Sequence, residues 1–291
     1  MTTDPSDGQM WGSAPARLRE RLASGGTLAL VGAYDVFSAS LVAREFDGVF
    51  CSGYGFAASQ YGLPDVGHMT WADVVSWVSR IRAILPATHI LADVDDGFGG
   101  PDVAADVGRR LEQAGASAIM MEDQKRPKRC GHLDGKQVVP VEEYLERLDR
   151  VLATRTDLFV LARTDATSLD EGISRAVAFA AAGADAVMVE GIRQVEDIRS
   201  LRGFLPAEVR LAVNLIFGGK TPPMALSELA DLGVDLVIYS TPCLFTVQSA
   251  MQAMLRKLSD ADGLLDTGVP SVTLEENDEV LRGNAESRFL R

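Results

Sequence analysis

Cysteine is scarce in this sequence. The 291 residues hold three, Cys51, Cys130 and Cys243. Three thiols so far apart exclude a disulfide-built scaffold and suit a reducing compartment, so a cytoplasmic setting is expected. Positive charge is also short. Lys and Arg number 28 against 41 Asp and Glu, for a formal net charge of −13, and without a basic face nucleic acid is not an expected partner. No apolar run approaches the roughly 20 residues of a membrane span, so no membrane partner is expected either. The opening stretch MTTDPSDGQMWGSAPA lacks the basic and apolar regions of a signal peptide. Residues 1–20 read as a loosely ordered arm, and 21–291 as a single domain with a C-terminal helical extension.

What is present is periodic. Apolar, β-rich runs recur at Leu28–Val31, Gly48–Ser52, Ile90–Asp93, Ala118–Glu122, Phe159–Arg163, Ala186–Glu190, Leu211–Asn214 and Leu236–Tyr239. Most are continuous rather than alternating, as strands buried on both faces should be. Helical periodicity separates them, at Trp71–Leu85, Val141–Thr154 and Asp170–Ala182, with a short helix expected in Leu274–Leu290. The turns AGASA, AGADA and LGVDL lead into strands through a glycine, the expected left-handed cap of a helix-to-strand turn. Eight strand–helix units in one chain predict a (β/α)8 barrel of the TIM type, with an open doubly wound sheet as the alternative. In such barrels the site lies at the C-terminal ends of the strands. Six of the expected strands end there in a polar residue: Ser52, Asp93, Glu122, Arg163, Glu190 and Asn214.

Further absences narrow the chemistry. No lysine lies in a strand, which disfavours a Schiff-base aldolase. There is no G-x-S-x-G elbow and no H-E-x-x-H pair. Gly53, Gly55 and Ala58 mimic a dinucleotide fingerprint, but Gly62-Leu63-Pro64 breaks the helix it needs, and a loop of backbone N–H groups for a carboxylate fits better. His68 and His89 read as structural.

Two clusters carry chemistry. In LADVDDGFGG, Asp93 and Asp95 share a strand end, with Glu122 on the neighbouring strand. Crowded carboxylates need a cation or a shared proton, and hard oxygen donors favour Mg2+, with Mn2+ also possible. The second cluster is MEDQKRPKRCGHLDGK, residues 121–136, which concentrates scarce lysines around a cysteine. Lys128, Arg129 and His132 flank Cys130. Nearby cations are expected to lower its pKa, which makes Cys130 a candidate acid/base or nucleophile. The loop is long and bends at Pro127, Gly131 and Gly135, as a mobile lid would.

These motifs, with GAYDVFSA (32–39), GLPDVG (62–67), ARTDA (162–166) and GGKTP (218–222), resemble the isocitrate lyase/phosphoenolpyruvate mutase superfamily over nearly the whole chain. The K-[KR]-C-G-H element at Lys128–His132 resembles its carbon–carbon lyases, which act on methylisocitrate, isocitrate, dimethylmalate or oxaloacetate. Carboxyphosphonoenolpyruvate mutase shares that element. The resemblance implies a barrel with a helix swapped between subunits and a homotetramer. It implies Mg2+ at Asp93, Asp95 and Glu122. It implies a small anionic carboxylate or phosphonate substrate held by Ser52, Gly53, Tyr54, Gly131, Arg163 and Asn214. Cys130 becomes the acid/base, with Lys128, His132, Glu190 and Asp65 around it. The expected activity is Mg2+-dependent cleavage of a 2-hydroxy or 2-oxo di- or tricarboxylate to a keto acid and a carboxylate. The alternatives are a mutase forming P–C bonds and a non-catalytic binding barrel. Phe217 stands where methylisocitrate-type lyases carry glutamate, and Tyr54 replaces a smaller residue, so a bulkier, less polar distal pocket is expected.

Overall fold

The computed structural model describes residues 12–265 and 268–289. The eight expected strands all form: β1 (Leu28–Ala33), β2 (Gly48–Cys51), β3 (His89–Asp93), β4 (Ala118–Glu122), β5 (Phe159–Thr164), β6 (Ala186–Val189), β7 (Arg210–Leu215) and β8 (Leu236–Tyr239). They close into one barrel in chain order, all neighbours parallel, with β8 returning to β1 through Leu28 opposite Leu236. The doubly wound alternative is excluded by this closure.

Every strand buries both faces, which explains the continuous apolar runs. In β1, Leu28 and Leu30 point inward and join Phe50, Leu91, Met120 and Met188 in the barrel interior. Ala29 and Val31 point outward and join Val49, Ile90 and Ile119 beneath the helices. The interior is thus a packed core, and only the strand ends are free to carry a site. The helix-to-strand glycines behave as expected: Gly115, Gly183 and Gly233 take φ of 92°, 100° and 76°, a region where a Cβ is costly.

The expectation of a loosely ordered arm over 1–20 is corrected from residue 13 on. Ser13 caps a helix, Ala14–Ala23, by accepting from the Ala16 N–H at 3.1 Å. Leu18 and Leu22, four apart on one face, join the interior cluster and close the N-terminal mouth of the barrel. That mouth would otherwise open the apolar interior to water. Arg19 lies over the Phe159 ring and pairs with Asp157 and Asp185. The rest of the arm, 1–11, lies outside the described residues.

Helices Trp71–Ile84, Val141–Thr154 and Leu169–Ala181 match the periodicity. Two helices end the chain, Pro242–Asp260 and Leu274–Ser287. Neither buries a residue, and Met251, Leu255, Leu274 and Leu281 face outward. Among the described residues no helix is long and apolar enough to cross a membrane.

Replacing Leu22 by Ala should unplug the mouth and cost about 2–5 kcal/mol, read by urea unfolding. Because the plug lies at the end opposite the polar strand ends, kcat and KM should stay unchanged.

Candidate active site

The polar strand ends converge as the sequence implied. Ser52, Asp93, Asp95, Glu122, Arg163, Glu190 and Asn214 are all buried at the C-terminal rim of the barrel. Register brings them together: Glu122 of β4 lies opposite Arg163 of β5, and Asp93 of β3 lies opposite Met120 of β4. The β3 end is knotted to β4 by the Glu122 N–H, which donates to the Asp95 carbonyl at 2.8 Å. Asp95 adopts a φ of 47°, a left-handed conformation that aspartate tolerates better than most residues. The Asp93 carboxylate accepts from the N–H groups of Gly53 at 3.2 Å and Asp95 at 3.2 Å. The Gly53 N–H therefore serves the carboxylate cluster, and that of Gly55 goes to Ser52 Oγ at 3.2 Å. The helical turn holding them ends at Gly62, φ 64°, so the break foreseen at Gly62-Leu63-Pro64 is real.

Residues 123–140 fold over this rim as a lid. Its neck is laced by backbone bonds. Val139 N–H donates to the Asp123 carbonyl at 2.9 Å and Lys125 N–H to that of Gln137 at 2.8 Å, with Gln124 and Val138 bridged between them. The Gln124 amide then clamps both the N–H and the carbonyl of Arg129. Farther along, His132 Nδ1 accepts from the Lys220 N–H at 2.8 Å. Its Nε2 sits 2.6 Å from Glu190 Oε1. Lys220 Nζ reaches Asp134 at 2.8 Å.

Gly131 packs directly against the barrel rim. A Cβ there would collide with Glu190 Cγ and the Arg163 guanidinium, so the position admits glycine for close approach.

Electrostatics explain why the lid seats here. Lys128 Nζ donates to Asp95 Oδ1 and lies 3.2 Å from Asp65 and 3.8 Å from Glu122. Burial alone would lower the pKa of this ammonium. Asp95, Glu122, Asp65 and Asp93 outweigh that and hold it well above its ordinary value. Burial pushes Asp93 up to about 6 and Glu122 well above the carboxylate range, in both cases against the pull of Lys128 and Arg163. Arg163 is gripped by Asp165 on two nitrogens, at 2.8 and 3.0 Å, and lies 3.3 Å from Glu122 and 3.5 Å from Glu190. Burial would raise Glu190, but Arg163 and His132 overcome it and hold the carboxyl at about 2.

Cys130 departs from expectation. Its thiol pKa is raised, because burial and the nearby Glu190 and Asp65 outweigh the His132 N–H and Arg163. Lys128, foreseen as an activating neighbour, turns away into the carboxylates. The thiol is therefore suited to give a proton rather than to act as a standing thiolate.

Phe217 also departs from expectation. It is 91% exposed and does not line the chamber beneath the lid, whereas Tyr54 does. Tyr54 is braced edge-on by Phe245, centroids 6.0 Å apart.

Several contributors escaped the sequence reading. Asp165 holds Arg163 and, at 2.9 Å, Lys136. Its own N–H is fixed by Asp123 at 2.9 Å. Ser240 Oγ donates to Asn214 at 2.7 Å, and Thr241 beside it lines the chamber with an unpartnered buried hydroxyl. Asp165 and Lys220 lie inside the motifs ARTDA and GGKTP, so position within a motif was the available signal. The strand 8 pair had none, because that strand ends in Tyr239.

The carboxylates fit a divalent cation. Both Glu122 oxygens are buried and accept no hydrogen bond. Asp65, Asp93, Asp95, Glu122, Asp165 and Glu190 face Lys128, Lys136, Arg163 and, 3.8 Å from Asp95, Arg126, and displacing the protons that burial favours on Asp93 and Glu122 would leave a surplus of negative charge for a cation to meet. As the side chains stand, no three metal-binding groups among the described residues form a cage, because the Lys128 ammonium sits between them.

A closed parallel barrel whose rim gathers carboxyl groups, buried cations and a lid-borne thiol has the form of an enzyme site for a small anionic molecule. The phosphoenolpyruvate phosphomutase family matches residues 18–259. The chain belongs to that family, and it is an enzyme standing with the carbon–carbon lyases of the PEP mutase/isocitrate lyase superfamily. It is 34% identical to 2,3-dimethylmalate lyase of Eubacterium barkeri over 87% of this chain and 90% of that protein. The structure of oxaloacetate acetylhydrolase with 3,3-difluorooxalacetate superposes with a TM-score of 0.86 at 30% identity, covering 94% of this chain and 95% of that one. Phosphonopyruvate hydrolase, solved with oxalate and Mg2+, gives a TM-score of 0.79 at 26% identity over 96% and 100%.

Two outcomes follow. Gly131→Ala should keep the fold but stop the lid seating, lowering kcat on the order of 100-fold, the scale of a small misplacement at a reacting centre; an unchanged kcat would contradict the close approach. If Asp93 and Glu122 hold a divalent cation, protons compete with it, because the pKa values of both are raised. Mg2+ affinity by titration calorimetry should therefore climb from about pH 5 to about pH 8, and a flat profile would count against these ligands.

Proposed function

We propose that the chain is a Mg2+-dependent lyase that breaks the C2–C3 bond of a small 2-hydroxy or 2-oxo dicarboxylate, of the dimethylmalate or oxaloacetate kind. The observation that carries this reading is the placement of the Cys130 thiol, which faces the same chamber as Asp93 and Arg163. A proton donor, a guanidinium and the cation-binding strand end thus meet in one space.

Asp93, Asp95 and Glu122 would hold the ion, which when bound supplies Lewis acidity to the substrate's C2 oxygen and adjoining carboxylate. Arg163, fixed by Asp165, presents a preset positive charge to the substrate's anionic end. For a 2-hydroxy acid, the hydroxyl proton passes to a chamber carboxylate as the C2–C3 bond breaks. The bonding pair stays on C3 as an enolate-like fragment, and C2 becomes the carbonyl of a keto acid; a 2-oxo acid must first add one water, enclosed with it in the chamber, at C2, and the same cleavage of that hydrate then leaves C2 as a carboxylate. Cys130 Sγ then delivers its proton to C3. Glu190, ionised throughout, orients His132 beside the thiol. The closed chamber has a volume of about 30 Å³, room for little more than a water or two. Substrate must therefore enter with the lid open, and closure excludes solvent during reaction.

Tyr54 narrows the chamber where the distal part of a substrate would lie, which favours a compact dicarboxylate over a tricarboxylate. The unburied helices Pro242–Asp260 and Leu274–Ser287, with Leu255 and Leu274 59% and 85% exposed, support assembly through these helices, as in a homotetramer with a swapped helix. Unpaired Cys51, Cys130 and Cys243 support a cytoplasmic setting.

The test is a screen of dimethylmalate, citramalate, malate, methylisocitrate, isocitrate and oxaloacetate with Mg2+, read as keto-acid or oxalate release. Release from one of the compact acids is expected. Turnover of phosphonate precursors alone would replace the lyase reading with a mutase. Cys130→Ser should still bind Mg2+ and substrate while kcat falls about 100- to 10,000-fold, the range of a lost acid/base; near wild-type turnover would remove Cys130 from the reaction.

A further inference from the structure

Arg175 lies on helix Leu169–Ala181, outside the chamber, and no step above uses it. Yet it is buried, and its bonds reach both sides of the lid's neck. Nη1 donates to Asp123 Oδ2 at 3.1 Å and to the Val139 carbonyl at 3.0 Å. Asp123 is the first residue of the lid and Val139 the one before its last, and the two are paired across its neck. Nε is oriented by Glu171 at 2.9 Å, one turn earlier on the same helix.

Asp123 is itself a hub. Its Oδ2 also accepts from Thr164 Oγ1 at 2.7 Å, and its Oδ1 accepts from the Asp165 N–H at 2.9 Å. Asp165 in turn grips Arg163 in the chamber and Lys136 in the lid. One guanidinium is therefore tied, through a single carboxylate, to the residue that presets the substrate's cationic partner. Through the Val139 carbonyl it also holds the far strand of the lid's neck. Hydrogen bonds between charged, buried groups are strong and directional, so this node can hold the neck and Asp165 in fixed relation.

We propose that Arg175 is a positioning residue that couples lid closure to the placement of Arg163. This inference rests on the lid reading above, so its test separates the two. Lys125, Lys128, Arg129 and Lys136 give the lid its own tryptic sites, whereas Arg126 precedes Pro127 and is not one. Wild-type protein should be cut in the lid when alone and protected by Mg2+ with oxalate, used as a small dianionic probe.

Arg175→Met should fold, judged by circular dichroism and cooperative melting, but stay cleavable in the lid with Mg2+ and oxalate present. Its kcat should fall 10-fold or more, and KM for the substrate found in the screen should rise as Arg163 loses its setting. Arg175→Lys keeps the charge and should restore part of both. If Arg175→Met does not fold, Arg175→Gln, which retains a donor for the Val139 carbonyl, takes its place. Full lid protection with unaltered kcat and KM in a variant that only melts earlier would reduce Arg175 to a core ion pair and overturn the proposal. A wild-type lid that is never protected would instead overturn the lid reading itself.

Discussion

The constraint on which this structure depends is the crowding of carboxylates at the ends of β3 and β4. Asp93, Asp95 and Glu122 are buried within reach of one another, and Asp65 joins them from the loop after β2. Such a group repels itself unless cations are buried with it, and removing one partner of a buried pair typically costs about 3–5 kcal/mol. Lys128 arrives from the lid and Arg163 from β5 to meet that demand. The position of the lid, the seating of Gly131 and the orientation of Cys130 follow from where those two charges must lie. Even with both in place, burial raises the pKa of Asp93 and Glu122, so the group is eased either by protons or by the divalent cation proposed above.

The barrel makes this electrostatic concentration tolerable. Its interior is filled by Leu, Phe and Met side chains and sealed below by Leu18 and Leu22, so the polar groups are confined to one end. There the rigid strand ends set the carboxylates, and the lid brings the thiol. In the proposed reaction the fixed strand ends would hold charge and the lid would carry the proton.

The burial of Cys130 changes the chemistry that its neighbours in sequence suggest. Lys128, Arg129 and His132 are adjacent along the chain, but in space Lys128 is spent on Asp95, and Glu190 and Asp65 act on the thiol instead. A raised pKa keeps the proton on sulfur, as a general acid requires. Phe217 is a parallel case. Motif position put it near the substrate, whereas the fold turns it outward and leaves Tyr54, braced by Phe245, to shape the closed chamber.

The barrel and the membership of its rim were legible in the chain itself. Continuous apolar runs ending in Ser52, Asp93, Glu122, Arg163, Glu190 and Asn214 encode buried parallel strands with polar tips, because strand period and barrel closure dictate where such residues go. The helix that plugs the barrel was not legible, since Leu18 and Leu22 are too few to stand out in a polar segment until there is an apolar mouth for them to cover. The hub of Asp123, Asp165 and Arg175 was hidden for a related reason. Its members are tens of residues apart, and nothing local marks Arg175 as more than a charge on a helix. Sequence determines which side chains reach the rim. Only the tertiary structure decides which charges pair there, because pairing depends on distance and burial, and those exist only once the lid has closed over the barrel.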